Sequence, residues 1–140
     1  MPLAHHTLVA WQRADDLFIR LHRLSLEAFP AFEKYELGSQ LRRAAFSVVV
    51  NIVEGFATEH VRKRINFLDT AKASLAEVGQ CVHSAHRLGY VNQKDAADLE
   101  VAIKQVGAPL AGLIRSERAK GHVRLTMLLL MVVWLGTNVL

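Results

Sequence analysis

The chain has 140 residues, enough for one domain with a true hydrophobic core and too few for a large two-domain enzyme. Seventeen Lys and Arg against thirteen Asp and Glu give a net charge of +4, compatible with a nucleic-acid partner but too mild to demand one. A single cysteine excludes a disulfide framework and points to a reducing, cytoplasmic compartment.

Between its three prolines the chain reads at helical rather than alternating period, so the expected fold class is all-α. A first helix is predicted over residues 8–28, with Trp11, Ala14, Leu17, Phe18, Leu21 and Leu24 on one face. Phe29-Pro30 ends it, because a residue before proline is pushed out of helical geometry. A second helix over 39–57 follows a loop, with Ser39 as its N-cap. The third spans 59–88, carried by Ile65, Leu68, Ala71, Leu75, Val78, Val82 and Ala85, and Gly89 closes it in the left-handed conformation. A fourth spans 93–120 through Leu99, Ile103, Val106, Leu110 and Leu113, with a kink or break expected at Pro109. Four amphipathic helices with short connections predict an up-and-down antiparallel four-helix bundle over 1–120.

Residues 121–140 form a separate apolar C-terminal extension. From 125 to 140 no residue is charged, and Arg115, Arg118, Lys120 and Arg124 stand just before. As a helix this stretch reaches about 24 Å against a hydrocarbon core of about 30 Å. It reads as a marginal membrane anchor, as a segment packed on a partner, or as an altered gene end. No N-terminal signal peptide is visible, because His5 and His6 lead into an amphipathic helix and read as a frayed terminus.

The second helix carries more apolar surface than one bundle needs. Leu41, Ala44, Ala45, Val48, Val49, Ile52 and Phe56 form the expected core face, and Phe46, Val50, Val53 and Ala57 an adjoining arc. Together they cover about 240°, where a surface helix needs little more than about 100°. The remaining strip holds Gln40, Arg43, Ser47, Asn51 and Glu54. One reading is a hydrogen-bonded network that sets bundle or subunit register; the other is a ligand or nucleic-acid surface.

The combination of Phe29-Pro30, Glu33, Tyr35, Leu37, the run Gln40-Leu41-Arg42-Arg43-Ala44-Ala45 with Ser47, and Asn51-Ile52-Val53-Glu54-Gly55 is specific. Phe67-Leu68, Ala71, Ser74-Leu75, Glu77 and Gly89-Tyr90 follow in order. Over residues 11–115 the chain resembles the small bacterial four-helix-bundle family encoded within intervening sequences of 23S rRNA genes. That family is itself similar to the basic, pentameric accessory protein of diversity-generating retroelements, which works with a reverse transcriptase on nucleic acid. The resemblance implies a homopentamer and no enzymatic activity. The chain departs from the family pattern at Glu36, where glycine is usual, at Val53 in place of alanine, and at Lys72-Ala73 in place of Arg-Gly. Ala57-Thr58-Glu59 also lacks the usual arginine, and the tail after Lys120 has no counterpart.

Arg42, Arg43, Arg62, Lys63 and Arg64 are the candidate nucleic-acid-binding residues. Three cations at the start of the third helix oppose its macrodipole by about 0.3–1 kcal/mol each, which Glu59 offsets in part. Aromatics are few on these faces, so base stacking is not expected. Cys81, His83 and His86 are close in sequence but differ in angle, His22 reads as a bundle-edge residue, and no Glu is followed three positions later by His, so no metal site is expected. A nucleophile elbow, a phosphate loop and a dinucleotide fingerprint are all missing from the sequence, so neither a cofactor nor enzymatic activity is expected. The leading reading is an oligomeric accessory factor that offers a basic surface to RNA or DNA. The alternative is a structural or protein-interaction assembly without nucleic acid, tethered to a membrane by residues 125–140.

Overall fold

A computed structural model describes residues 3–138, with side chains through Leu135. Four helices follow one another, α1 (Val9–Glu27), α2 (Leu37–Ala57), α3 (Val61–Arg87) and α4 (Gln93–Asn138), and there is no strand among the described residues. Each helix packs on its sequence neighbours and α1 closes the square against α4, which makes a four-helix bundle. The core is the set of stripes the periodicity marks: Ala14, Leu17 and Leu21 meet Leu41, Ala45, Val48 and Ile52, with Leu68, Ala71, Leu75, Val78 and Val82 opposite Leu99, Val106 and Leu110. Trp11, Phe18, Leu24, Ile103 and Leu113 complete it from partly buried positions.

The helix ends have local causes. Tyr90 N–H donates to the Ala85 carbonyl and Gly89 N–H to that of His86, the paired closure in which the residue between must turn left-handed. Gly89 does so, at φ +80°. Gly89→Ala meets open space but that φ is strained for any side chain, so it is expected to cost about 1 kcal/mol in urea unfolding, with Gly89→Asn costing less. At the start of α4, Asp95 N–H donates to Asn92 Oδ1 while Asn92 Nδ2 donates to Asp95 Oδ2, both at 2.8 Å, a reciprocal cap.

Four expectations fail here. Ser39 does not cap α2. The helix begins two residues earlier, because Glu33, on a short 3₁₀ turn (Ala31–Lys34), accepts the Leu37 N–H at 3.2 Å and also the Tyr90 hydroxyl at 3.1 Å. Pro109 does not break α4. The carbonyl its missing N–H would have engaged, that of Gln105, accepts from Arg13 Nη1 of α1 at 2.9 Å instead. Phe56 is 41% exposed although its angle points to the core, since a helical wheel gives direction and not depth, and Phe56 lies in the last turn at the end of the bundle. His5 and His6 are not frayed: they sit on a 3₁₀ turn (Ala4–Thr7) beside Trp11, with the His6 ring stacked on the indole at 4.5 Å.

The extension is helical too. α4 passes residue 120 without interruption, but its last buried side chain is Glu117, and side chains 122–135 are all exposed. Val139 and Leu140, at the end of the predicted apolar stretch, lie outside the described residues. Among the described residues no helix is long and apolar enough to cross a membrane.

Candidate functional site

α2 is the helix from which a site can be built, because α1 and α3 flank it and its polar strip and second apolar arc are only partly covered. One residue of the strip, Ser47, turns inward to α3, and Asn51 bonds back to it within α2. Ser47 Oγ and Ser74 Oγ lie 2.8 Å apart across the α2–α3 contact, and Asn51 Nδ2 donates to the Ser47 carbonyl at 2.8 Å and to its hydroxyl at 3.1 Å. Ser74 is buried, so this pairing satisfies a hydroxyl that would otherwise be stranded in an apolar contact. Gln40, Arg43 and Glu54 remain exposed. Beside them Phe46 is 52% exposed, leaning on Phe18 at 5.3 Å between ring centres, and Val50 and Val53 are half-buried. The second apolar arc therefore faces outward from the single chain.

The five candidate cations do not form one patch. Arg42 is spent on the α1–α2 connection: Nη1 donates to Ser25 Oγ at 2.9 Å and Nη2 to the Lys34 carbonyl at 2.7 Å. Ser25 is completely buried, and its hydroxyl passes the chain on to the His22 carbonyl. The same corner leaves no room at Gly38, where an added Cβ would lie 2.9 Å from the Glu33 carbonyl oxygen and 3.1 Å from the Arg42 guanidinium.

Arg64 is spent at the opposite end. Its Nε donates to the Gly55 carbonyl at 3.1 Å, Nη2 to the Thr58 carbonyl at 2.6 Å, and Nη1 to Glu117 Oε2 at 3.1 Å. A cation that opposes the dipole of α3 thus caps the carbonyl end of α2, where a positive charge is favourable. Gly55 allows this closeness, since its Cα faces the Phe67 Cβ and the Arg64 carbonyl with no side chain of its own to intervene. Glu117 is buried and also accepts from Lys120 Nζ at 2.7 Å. Burial alone would raise the Glu117 pKa, but the hydrogen bonds and charges of Lys120 and Arg64 outweigh it and hold the carboxyl below its ordinary value. Sequence reading missed Glu117 although a signal was present: it continues the stripe through Val106, Leu110 and Leu113 at the next core position.

Arg43, Arg62 and Lys63 are exposed, with no ion pair among the described residues. Arg43 stands about 18 Å along α2 from Gly55, by helical rise, so it is remote from the Arg62 and Lys63 pair at the start of α3. A small, partly open cavity lined by Ile52, Phe56, Arg64, Leu68, Leu113 and Glu117 among others has only about 30 Å³, room for a water and not for a substrate. Cys81 is buried, and burial followed by the charge of Glu77 pushes its thiol pKa up, which disfavours the thiolate. His86 Nδ1 is 2.9 Å from the Val91 carbonyl oxygen, and the described residues contain no group of three His, Cys, Asp or Glu able to hold a metal.

The profile of the 23S rRNA-intervening sequence protein family matches residues 6–112, the whole of the bundle up to the middle of α4. The chain belongs to that family. A similar solved structure is that of a protein with unknown function from the S23 ribosomal protein family of Bacteroides thetaiotaomicron, with a TM-score of 0.71 over 76% of this chain and 96% of that one. The two are 17% identical, so the likeness speaks for the fold alone. No curated protein matches the chain. The residues that carry the family pattern now have physical roles. Glu33 starts α2 and holds Tyr90, Arg42 clasps the α1–α2 connection, Ser47 and Ser74 join α2 to α3, and Gly55 admits Arg64.

Proposed function

We propose that this 23S rRNA-intervening sequence protein is a non-enzymatic, cytoplasmic homo-oligomer, a pentamer by family resemblance, that presents Arg43, Arg62 and Lys63 to RNA or DNA as an accessory factor. The observation that carries the assembly is the outward apolar arc of Phe46, Val50 and Val53 on a helix whose core face is already filled. The observation that supports the nucleic-acid role is the exposure of Arg62 and Lys63 beside one another with no acidic partner among the described residues. Two cations per chain are a weak anion site; repeated around a closed assembly they sum to a field that phosphate backbones follow. The kinship of the family with the retroelement accessory protein favours the same reading. The internal engagement of Arg42 and Arg64 removes two of the five cations from this surface, and it is the observation that favours the second reading, a structural or protein-interaction assembly without nucleic acid.

Retention on RNA as a function of salt decides between them. The protein is expected to bind at low salt with affinity falling steeply as salt rises, and Arg62→Glu with Lys63→Glu to reduce the slope of log K against log salt by about two for each chain in contact. Filter binding or fluorescence anisotropy measures both. Absence of binding at low salt, or a slope indifferent to the charge reversal, leaves the structural assembly as the function.

A further inference from the structure

The last described side chains of α4 are apolar and exposed. After Gly121 no described side chain is buried, and from Met127 to Leu135 every residue is apolar and exposed, Leu128, Leu129 and Leu130 at 57–60%. At about 100° per residue such a run is apolar in every direction, unlike the one-sided stripes of α1 to α3. A second copy laid alongside would cover one stripe and leave the rest in water, whereas acyl chains cover all of it. The charge at its root is equally one-sided. No acid follows Glu117 in the sequence, and Arg62 and Arg124 both line an open groove of about 500 Å³ with Val61, Ile65, Leu125 and Leu128. Arg118 is paired with Asp69 and Lys120 with Glu117, but Arg62, Lys63 and Arg124 have no acidic partner among the described residues.

We propose that the α4 extension docks this protein on a membrane surface rich in anionic lipid. The uncharged part of α4 from Leu125 onward enters the hydrocarbon core without crossing it while Arg62, Lys63 and Arg124 meet the headgroup phosphates. The length falls short of a span: the uncharged part of α4, residues 125–138, rises about 21 Å, past the about 15 Å of one leaflet but less than the about 30 Å of the hydrocarbon core. Apolar insertion and cationic attraction are the two signals that together make a peripheral anchor hold. This inference shares Arg62 and Lys63 with the nucleic-acid reading and is told apart from it by its apolar half, which takes no part there.

Full-length protein is mixed with extruded vesicles of phosphatidylglycerol and phosphatidylcholine, or of phosphatidylcholine alone, and sedimented. Binding to the anionic vesicles is expected to be at least about tenfold tighter and to weaken with salt. Leu129→Glu with Val132→Glu, at positions that touch nothing in the core, is expected to reduce it about tenfold or more while helix content and thermal unfolding of the bundle stay unchanged. In a Trp11→Phe background, Trp134 fluorescence is expected to be quenched by lipids brominated on their acyl chains. The proposal is overturned by absence of binding to anionic vesicles at low salt, by binding indifferent to the paired glutamates, or by binding that leaves Trp134 unquenched. It is also overturned if the paired glutamates lower the oligomer mass while the unaltered chain ignores vesicles, which would assign the extension to a second copy.

Discussion

Arg64→Ala is expected to lower the stability of the bundle by about 3 kcal/mol near neutral pH, while Arg62→Ala and Lys63→Ala just before it in sequence change stability by less than about 0.5 kcal/mol. The difference lies in what each guanidinium or ammonium touches. Arg62 and Lys63 project into solvent, whereas Arg64 holds two carbonyls at the end of α2 and one oxygen of a carboxylate that is only 8% exposed. Removing it strands those acceptors and leaves Glu117 with Lys120 alone, a more exposed and flexible partner. The loss lies at the lower end for a broken buried pair because that second cation remains.

The loss has a pH signature of definite sign. A carboxyl held below its ordinary value of 4.5 in the folded state contributes stability that is present above that value and is lost as pH falls through the folded pKa. Below that point Glu117 is neutral in both proteins and no longer needs a cation. The gap between Arg64→Ala and the unaltered chain should then narrow to about 1 kcal/mol, the share of the carbonyl hydrogen bonds. Urea unfolding near neutral pH and in acid measures it; a gap that stays constant would mean that Arg64 acts through the carbonyls of α2 alone.

Phe46→Glu combined with Val53→Glu is expected to dissociate the proposed assembly, so that the mass in light scattering falls from several chains to the 15.6 kDa of one. Both positions lie on the outward arc of α2, where a carboxylate is harmless in a lone bundle and costs several kcal/mol once a neighbouring chain removes its water. Thermal unfolding of the separated chains should still be cooperative, because the core face of Leu41, Ala45, Val48 and Ile52 is untouched. If the unaltered chain already has the mass of one, or if the double variant keeps the higher mass, the arc is not the contact between copies. Asn51 is a weaker lever than the strip pattern suggests, since its amide is committed within α2 to Ser47.

The polar residues divide according to whether a partner is near in sequence or only in space. The helices, their stripes and the left-handed Gly89 follow from spacing, because a periodic apolar pattern and a glycine after a helix act within a few residues. The start of α2 was misplaced because its cap is the side chain of Glu33 on a preceding turn rather than a Ser at the boundary. A kink or break was expected at Pro109, and the break does not occur because the compensating donor, Arg13, lies on another helix. Arg42 and Arg64 read as surface charge for the same reason: Ser25, Lys34, Gly55 and Glu117 are brought to them by the fold.

By itself, then, the sequence determined an all-α bundle, the four core stripes, an excess of apolar surface on α2 and an uncharged final stretch. Each of these depends on the order of residue types along a helix, and the turn geometry of the helix converts that order directly into a face. The tertiary structure alone decided which cations are clasped and which stay exposed, that Glu117 is buried and paired, and that the apolar side chains from Met127 to Leu135 are exposed. Those outcomes depend on distances between residues far apart in sequence, such as the 3.1 Å between Arg64 and Glu117, and no local periodicity encodes them.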